Sequence, residues 1–222
     1  MKSITASPKT ITLSAVASAV LVSAVLLGNT AYSSSSSGIQ DVTNFLVSLV
    51  DGDKQHIRIS TESTISVDGS HGAFGWGIPT GNANEFLVAT THGGVYDSET
   101  QSNAADPVWH THLVKLFEDT NACPGALRVQ DLTLSDPSYA VSVNNNVIDI
   151  VGAVHGNYLG QFGNTDMALG ALSTYTIVTF TLNPADLSTS PPVVCVENVQ
   201  AYNHQGDPST ITTVVGPAQP AS

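Results

Sequence analysis

The sequence predicts an all-β domain, an antiparallel β-sandwich or jelly roll of about eight to ten strands. Past residue 53, apolar side chains come in short runs rich in Val, Ile, Thr and aromatic residues, separated by Gly, Pro and Asn. Helical spacing is absent from nearly all of these runs, so the chain has few helices to connect parallel strands. The predicted strands are 55–60, 62–67, 85–91, 108–117, 126–134, 138–143, 147–155, 174–182, 193–201 and 210–215.

Residues 1–33 predict a signal peptide or a retained membrane anchor. Lys2 and Lys9 precede an apolar run of 18 residues, 11–28, and small residues follow it. This three-part layout is typical of a cleaved secretory signal. The run also reaches the lower limit for spanning a bilayer, so an uncleaved anchor is the alternative. In both cases we expect the folded part to be extracellular or at the cell surface, with membrane contact only through an uncleaved N-terminal segment.

A Ser-rich spacer, 34–38, is expected to lead into a single β domain, 39–215, and then a flexible tail, 216–222. At the start of the domain, apolar residues recur at steps of three and four, which predicts a short helix after the signal segment. They are Val42, Phe45, Leu46, Leu49 and Val50. Their β-branched content also allows an extended strand, which would let residues 39–50 pair with a neighbouring molecule and drive self-assembly.

Two segments rich in glycine or asparagine are predicted to be connections. Residues 68–81 contain five glycines and match neither a phosphate-binding loop nor a dinucleotide-binding motif, so they predict a loop. Residues 144–146 are three asparagines between two strand candidates. Asparagine tolerates positive φ, so this segment predicts a hairpin.

The two cysteines, Cys123 and Cys195, both follow the predicted signal segment. An even count in an oxidising compartment predicts one disulfide between them. Two separate buried thiols are the alternative. The wide spacing excludes a C-x-x-C redox or zinc motif.

The charge balance argues against nucleic acid as a partner. The chain carries 18 acidic residues, six Lys and Arg, and a formal net charge of −12. A phosphate backbone is bound by a basic stripe, which this composition does not supply. No nucleophile elbow or H-E-x-x-H motif is present. We therefore predict no catalytic residue and expect a non-enzymatic role.

A cluster of histidines is the strongest candidate site. His110 and His112 are one residue apart in a predicted strand, so their side chains share one face. His92 and His155 each fall at the end of another predicted strand. Imidazoles from several strands of one sheet would suit zinc or copper. The alternative is that these histidines are half-buried polar groups bonded to carbonyls or carboxylates.

Two partial family resemblances arise from the same residues. His110-Thr-His112, the later Cys123 and then His155 resemble copper/zinc superoxide dismutases, which implies an extracellular β-barrel with a copper site. The clustered zinc ligands of that family have no counterpart between His112 and His155. The same H-x-H pair with Glu118, Gly125 and His155 is similar to the two cupin motifs, although the Pro-x-Gly of that family is absent.

Together these observations predict an exported β-sandwich that acts as a structural or binding module. A copper- or zinc-binding protein that uses the His-x-His strand, with redox activity if the metal is copper in an open site, is the first alternative. A filament or surface-layer subunit is the second.

Overall fold

The computed structural model describes residues 41–92, 108–134, 137–163 and 165–209. The predicted signal or anchor, the Ser-rich spacer, the strand at 210–215 and the tail lie outside these residues. The described residues form β-strands and no helix, so the predicted all-β class is confirmed. Among them, no helix is long and apolar enough to cross a membrane.

The described strands are connected mostly by short turns. They are β1 (Val42–Val50), β2 (Lys54–Thr61), β3 (Ala73–Pro79), β4 (Glu85–His92), β5 (His110–Glu118), β6 (Leu127–Leu132), β7 (Ala140–Asn144), β8 (Val147–Ala153), β9 (Gly156–Leu159), β10 (Asp166–Leu169), β11 (Thr176–Asp186), β12 (Val193–Asn203) and β13 (Pro208–Ser209).

Six antiparallel strands close into a barrel. Their order is β11-β3-β4-β5-β6-β12, and β11 pairs with β12 to complete the ring. Because the ring is closed, each of these strands has a hydrogen-bonded neighbour on both sides where the strands pair. The predicted sandwich or jelly roll is not confirmed, because this closed barrel is the main sheet. The short β13 extends it beside β12.

A second antiparallel sheet, in the order β1-β2-β8-β7, packs against one side of the barrel. Phe45 and Ile57 from this sheet share one buried cluster with Trp76 and Leu113 from the barrel. The strands β9 and β10 form a separate two-stranded hairpin.

Strict alternation along the barrel strands produces two apolar cores. On β4, Leu87 and Ala89 face the second sheet, whereas Phe86 and Val88 belong to the core inside the barrel. Successive side chains of a strand point to opposite faces, so β4 is buried on both sides. A strand in this position has no face that water can reach.

The predicted helix near the N-terminus is wrong. Residues 42–50 form β1, which pairs with β2 of the same chain from Val42 to Val50. The register shifts between Val42 and Asn44, and this irregularity lets Val42 and Phe45 both be buried although they are three residues apart. A bulged strand therefore reproduced the apolar spacing of a helix.

The other predictions from local patterns have mixed outcomes. The three-asparagine hairpin is confirmed, since β7 pairs with β8 and Asn145 adopts a φ of 55°. The predicted strand at 62–67 is wrong, because these residues are bends and coil. The predicted loop at 68–81 contains the buried strand β3. A Cβ on Gly75 would lie 2.3 Å from the Ala89 carbonyl oxygen, so glycine permits this close approach.

The predicted disulfide between Cys123 and Cys195 is confirmed. Cys123 lies in the turn between β5 and β6, and Cys195 lies on β12. Only two residue pairs, Cys195 with Arg128 and Val196 with Leu127, register β6 against β12. The bridge therefore reinforces the contact between β6 and β12, the two neighbouring barrel strands with the fewest paired residues in the described part of the chain.

Replacing Phe45 with alanine is expected to destabilise the protein by about 3 to 5 kcal/mol, because this ring is 1% exposed in the core shared by both sheets. Leu49→Ala is the matched control on the same strand. Leu49 is 69% exposed, so its loss should change stability by less than about 0.5 kcal/mol. Chemical unfolding of both variants measures the difference, and equal effects would contradict the placement of β1.

The Cys123→Ser, Cys195→Ser double variant is expected to lose about 4 kcal/mol of stability, because the bridge closes a loop with a sequence separation of 72. Chemical unfolding with and without reductant checks this value. Reductant should lower the stability of the wild-type protein to that of the variant and leave the variant unchanged. A variant as stable as the oxidised protein would contradict the role of the bridge.

Candidate metal centre

Two neighbouring barrel strands position three histidines. On β5, His110 and His112 share the face that looks into the barrel, because one residue separates them. On β4, His92 follows Thr90 on the inward face, and Thr90 pairs with His110 across the sheet. Adjacent strands lie about 4.8 Å apart, so this register brings the side chain of His92 beside the pair on β5.

The three imidazoles converge as the sequence predicts for His92, His110 and His112. One ring nitrogen from each lies within 4.8 Å of the others. The rings of His92 and His110 stack with their centroids 4.8 Å apart, and the ring of His112 stands edge-on to His110 at 4.6 Å. His92 and His112 are buried, and His110 is partly buried.

Backbone carbonyls fix the tautomers of the β5 pair. His110 Nδ1 lies 2.9 Å from the Val108 oxygen, and His112 Nδ1 lies 2.9 Å from the Thr133 oxygen and also contacts the Leu134 oxygen. A carbonyl oxygen can only accept, so Nδ1 carries the hydrogen in both rings. Each Nε2 therefore keeps its lone pair, which is the arrangement found in metal-bound histidines.

These two Nε2 atoms are buried, and neither has a hydrogen-bond partner among the described residues. Burial, together with the neighbouring His110 and His92, lowers the pKa of His112 to about 3. His112 is thus neutral at physiological pH. Buried acceptors without donors cost free energy, whereas neutral imidazole nitrogens are good ligands for transition metals.

The spacing of the cluster is close to that of a coordinated ion. Zinc binds imidazole nitrogens at about 2.0 to 2.1 Å, so two ligands of a tetrahedral ion lie about 3.3 Å apart. Nitrogens that are within 4.8 Å of one another would have to approach by at most about 1.5 Å. Small changes in side-chain torsions bring imidazoles together by this amount. Three protein ligands would leave one position of such an ion open.

The remaining predicted ligand, His155, is not part of this cluster. It is exposed and lies between β8 and β9, away from the barrel strands that carry the other three. Its predicted strand 147–155 contributes β8 to the second sheet. The alternation of side chains along that strand therefore does not point His155 into the barrel. Of the other described histidines, His71 and His204 are exposed. His56 lies on β2 with its Nε2 2.6 Å from Asp149 Oδ1.

A cavity of about 120 Å³ lies inside the barrel beside the imidazoles of His92 and His112. Residues 160–163 contribute Gln161 and Phe162 to its wall. Neither feature was predicted from the sequence, because a cavity depends on how the barrel closes.

One buried carboxylate holds the segment that lines this cavity. Asp131 Oδ1 accepts hydrogen bonds from the backbone amides of Leu132 and Phe162, and Oδ2 accepts from those of Gly163 and Thr165. Asp131 is 0% exposed. A buried carboxylate needs donors, so an acid inside the predicted strand 126–134 was the signal in the sequence for this role.

A scan against protein-family models finds no match to this chain, and neither does a search of curated proteins or of solved structures. The interpretation of the site therefore depends on its own geometry and chemistry.

Asp131→Asn is expected to destabilise the protein by about 2 to 4 kcal/mol, because one carboxylate oxygen becomes an amide group that cannot accept from two backbone N–H groups. The amides of Gly163 and Thr165, or those of Leu132 and Phe162, should exchange with deuterium faster. Asp166→Asn is the control, since Asp166 is exposed on the neighbouring β10. Unchanged amide exchange in the Asp131 variant would contradict this assignment.

Proposed function

We propose that this chain is an exported metal-binding protein that holds one zinc or copper ion on His92, His110 and His112. The observation that carries the proposal is the convergence of three imidazoles, two of which, His110 and His112, have buried Nε2 atoms with no hydrogen-bond partner among the described residues. Carbonyl bonds at Nδ1 hold both rings in the ligand tautomer. Zinc and copper are the metals that neutral imidazole suits best among the ordinary choices.

Export is supported by two independent features. The N-terminal 33 residues have the layout of a secretory signal or anchor, and the chain contains a disulfide. Disulfides persist in oxidising compartments and are rare in the cytosol. The net charge of −12 makes nucleic acid an unfavourable partner for the proposed protein.

The rival proposal is a structural or binding module in which the histidines only fill space. This reading gives no account of the buried Nε2 atoms of His110 and His112, which a packed apolar side chain would avoid at lower cost. The filament or surface-layer alternative relied on residues 39–50 as a donated strand. Residues 42–50 pair with β2 of their own chain, so we prefer the metal-binding function.

Metal analysis of the purified protein after incubation with zinc or copper tests the proposal. We expect close to one ion per chain, and less than about 0.1 in the His110→Ala, His112→Ala double variant, because loss of two of three ligands removes the site. The bound ion should also raise the melting temperature of the wild-type protein by mass action.

The matched control is the His155→Ala, His204→Ala double variant, which removes two exposed histidines from outside the cluster. It should keep one ion per chain. Equal metal content in both double variants, or no bound zinc or copper in the wild-type protein, would favour the structural module instead.

A further inference from the structure

The cavity beside the histidine cluster has a composition that restricts what can occupy it. His92 and His112 form part of its wall, and the rest is largely apolar. The apolar lining comes from Val88, Val114, Leu116, Val129, Leu132, Phe162, Phe180, Leu182, Leu187, Pro192, Val194 and Val196. The Thr90 hydroxyl also lines the cavity, but it already donates a hydrogen bond to the Phe74 carbonyl oxygen at 2.9 Å.

Size and polarity together define the ligand class. A cavity of about 120 Å³ is somewhat smaller than the roughly 150 Å³ space that holds benzene in an engineered protein core. It therefore has room for a molecule of only a few atoms. An ion or a strongly polar molecule would lose its hydration without gaining a charged partner among the described lining residues.

We infer that this cavity is the binding chamber for a small uncharged molecule of the size of dioxygen, which reaches the metal from the side of His92 and His112. The inference rests on the proposed metal site. Three imidazoles leave one position of a four-coordinate ion open, and the two histidines that line the cavity connect that ion to the chamber. The apolar wall admits neutral molecules and excludes anions that would otherwise compete for the metal.

The donor set also favours one metal for this role. All three candidate ligands are imidazoles, which bind metals in their uncharged form, and the described metal-ligating cluster contains no carboxylate or thiolate. The free energy needed to bury an ion rises steeply with its charge, so a monovalent ion next to an apolar chamber costs less than a divalent one. Copper in its monovalent state meets this requirement and binds neutral diatomic molecules, whereas zinc is divalent.

Carbon monoxide is the probe for the chamber, because its stretching vibration is visible in the infrared when it binds monovalent copper. The full chain is loaded with monovalent copper without oxygen and titrated with carbon monoxide. We expect one carbon monoxide per copper. Val129→Phe should lower the affinity at least roughly tenfold, because the ring fills the chamber from β6 without altering a histidine.

Val67→Phe is the matched control. Val67 is 60% exposed and outside the cavity, so this variant should bind carbon monoxide as the wild-type protein does. Val196→Leu, on β12, is a second and milder filling variant for the case in which Val129→Phe does not fold. Full affinity in a folded filling variant would overturn the inference.

Xenon binding to the metal-free protein separates failure of the chamber from failure of the metal site. Xenon is expected to enter the wild-type cavity and to be excluded by Val129→Phe, as measured by the xenon NMR shift. If neither zinc nor copper binds, the proposed function fails and xenon alone decides whether the chamber exists. If zinc binds and copper does not, the metal site stands and the inferred copper-dependent role of the chamber is overturned. If copper binds and xenon does not enter the wild-type protein, the chamber is overturned while the metal site stands.

Discussion

The burial of β4 on both of its faces is the constraint on which the rest of this structure depends. One face closes the barrel interior and the other packs against the four-stranded sheet. Because side chains alternate along a strand, every residue there must suit one of two cores. His92 occupies an inward position of this kind, and so do His110 and His112 on the adjoining β5. The histidines are thus held inside a packed wall, where each needs a specific partner.

Closure of the barrel determines which groups lie beside the buried histidines. Just after β6, the carbonyl oxygens of Thr133 and Leu134 contact His112 Nδ1. Just before β6, the disulfide links the turn that contains Cys123 to β12. Asp131 then holds Phe162, Gly163 and Thr165 beside the cavity through their three backbone amides. One strand therefore supports the tautomer of a ligand, the barrel seam and the cavity wall. A change in its register would disturb all three.

Sequence patterns predicted the features that follow from the alternation of side chains along a strand. They did not predict the features that depend on how the strands close into a barrel. The shared face of His110 and His112 follows from alternation alone, and the convergence of His92 follows once β4 and β5 are neighbours. His155 was predicted as a ligand from the alternation of side chains along its strand, but alternation does not say which sheet a strand joins. The strand β3 was missed because its glycines indicate a turn in isolation, whereas Gly75 allows the Ala89 carbonyl to approach closely.

The free-energy balance of the histidine cluster favours the proposed metal site over simple packing. Valine or leucine at these inward positions would extend the apolar core that already surrounds the cavity, at no cost in unpaired lone pairs. The imidazoles of His110 and His112 instead have their Nδ1 groups bonded to carbonyls, and each buried Nε2 has no donor among the described residues. This arrangement is unfavourable by itself and becomes favourable when an ion accepts the lone pairs. Under the proposed function, metal binding would recover the free energy that the metal-free protein loses at this site.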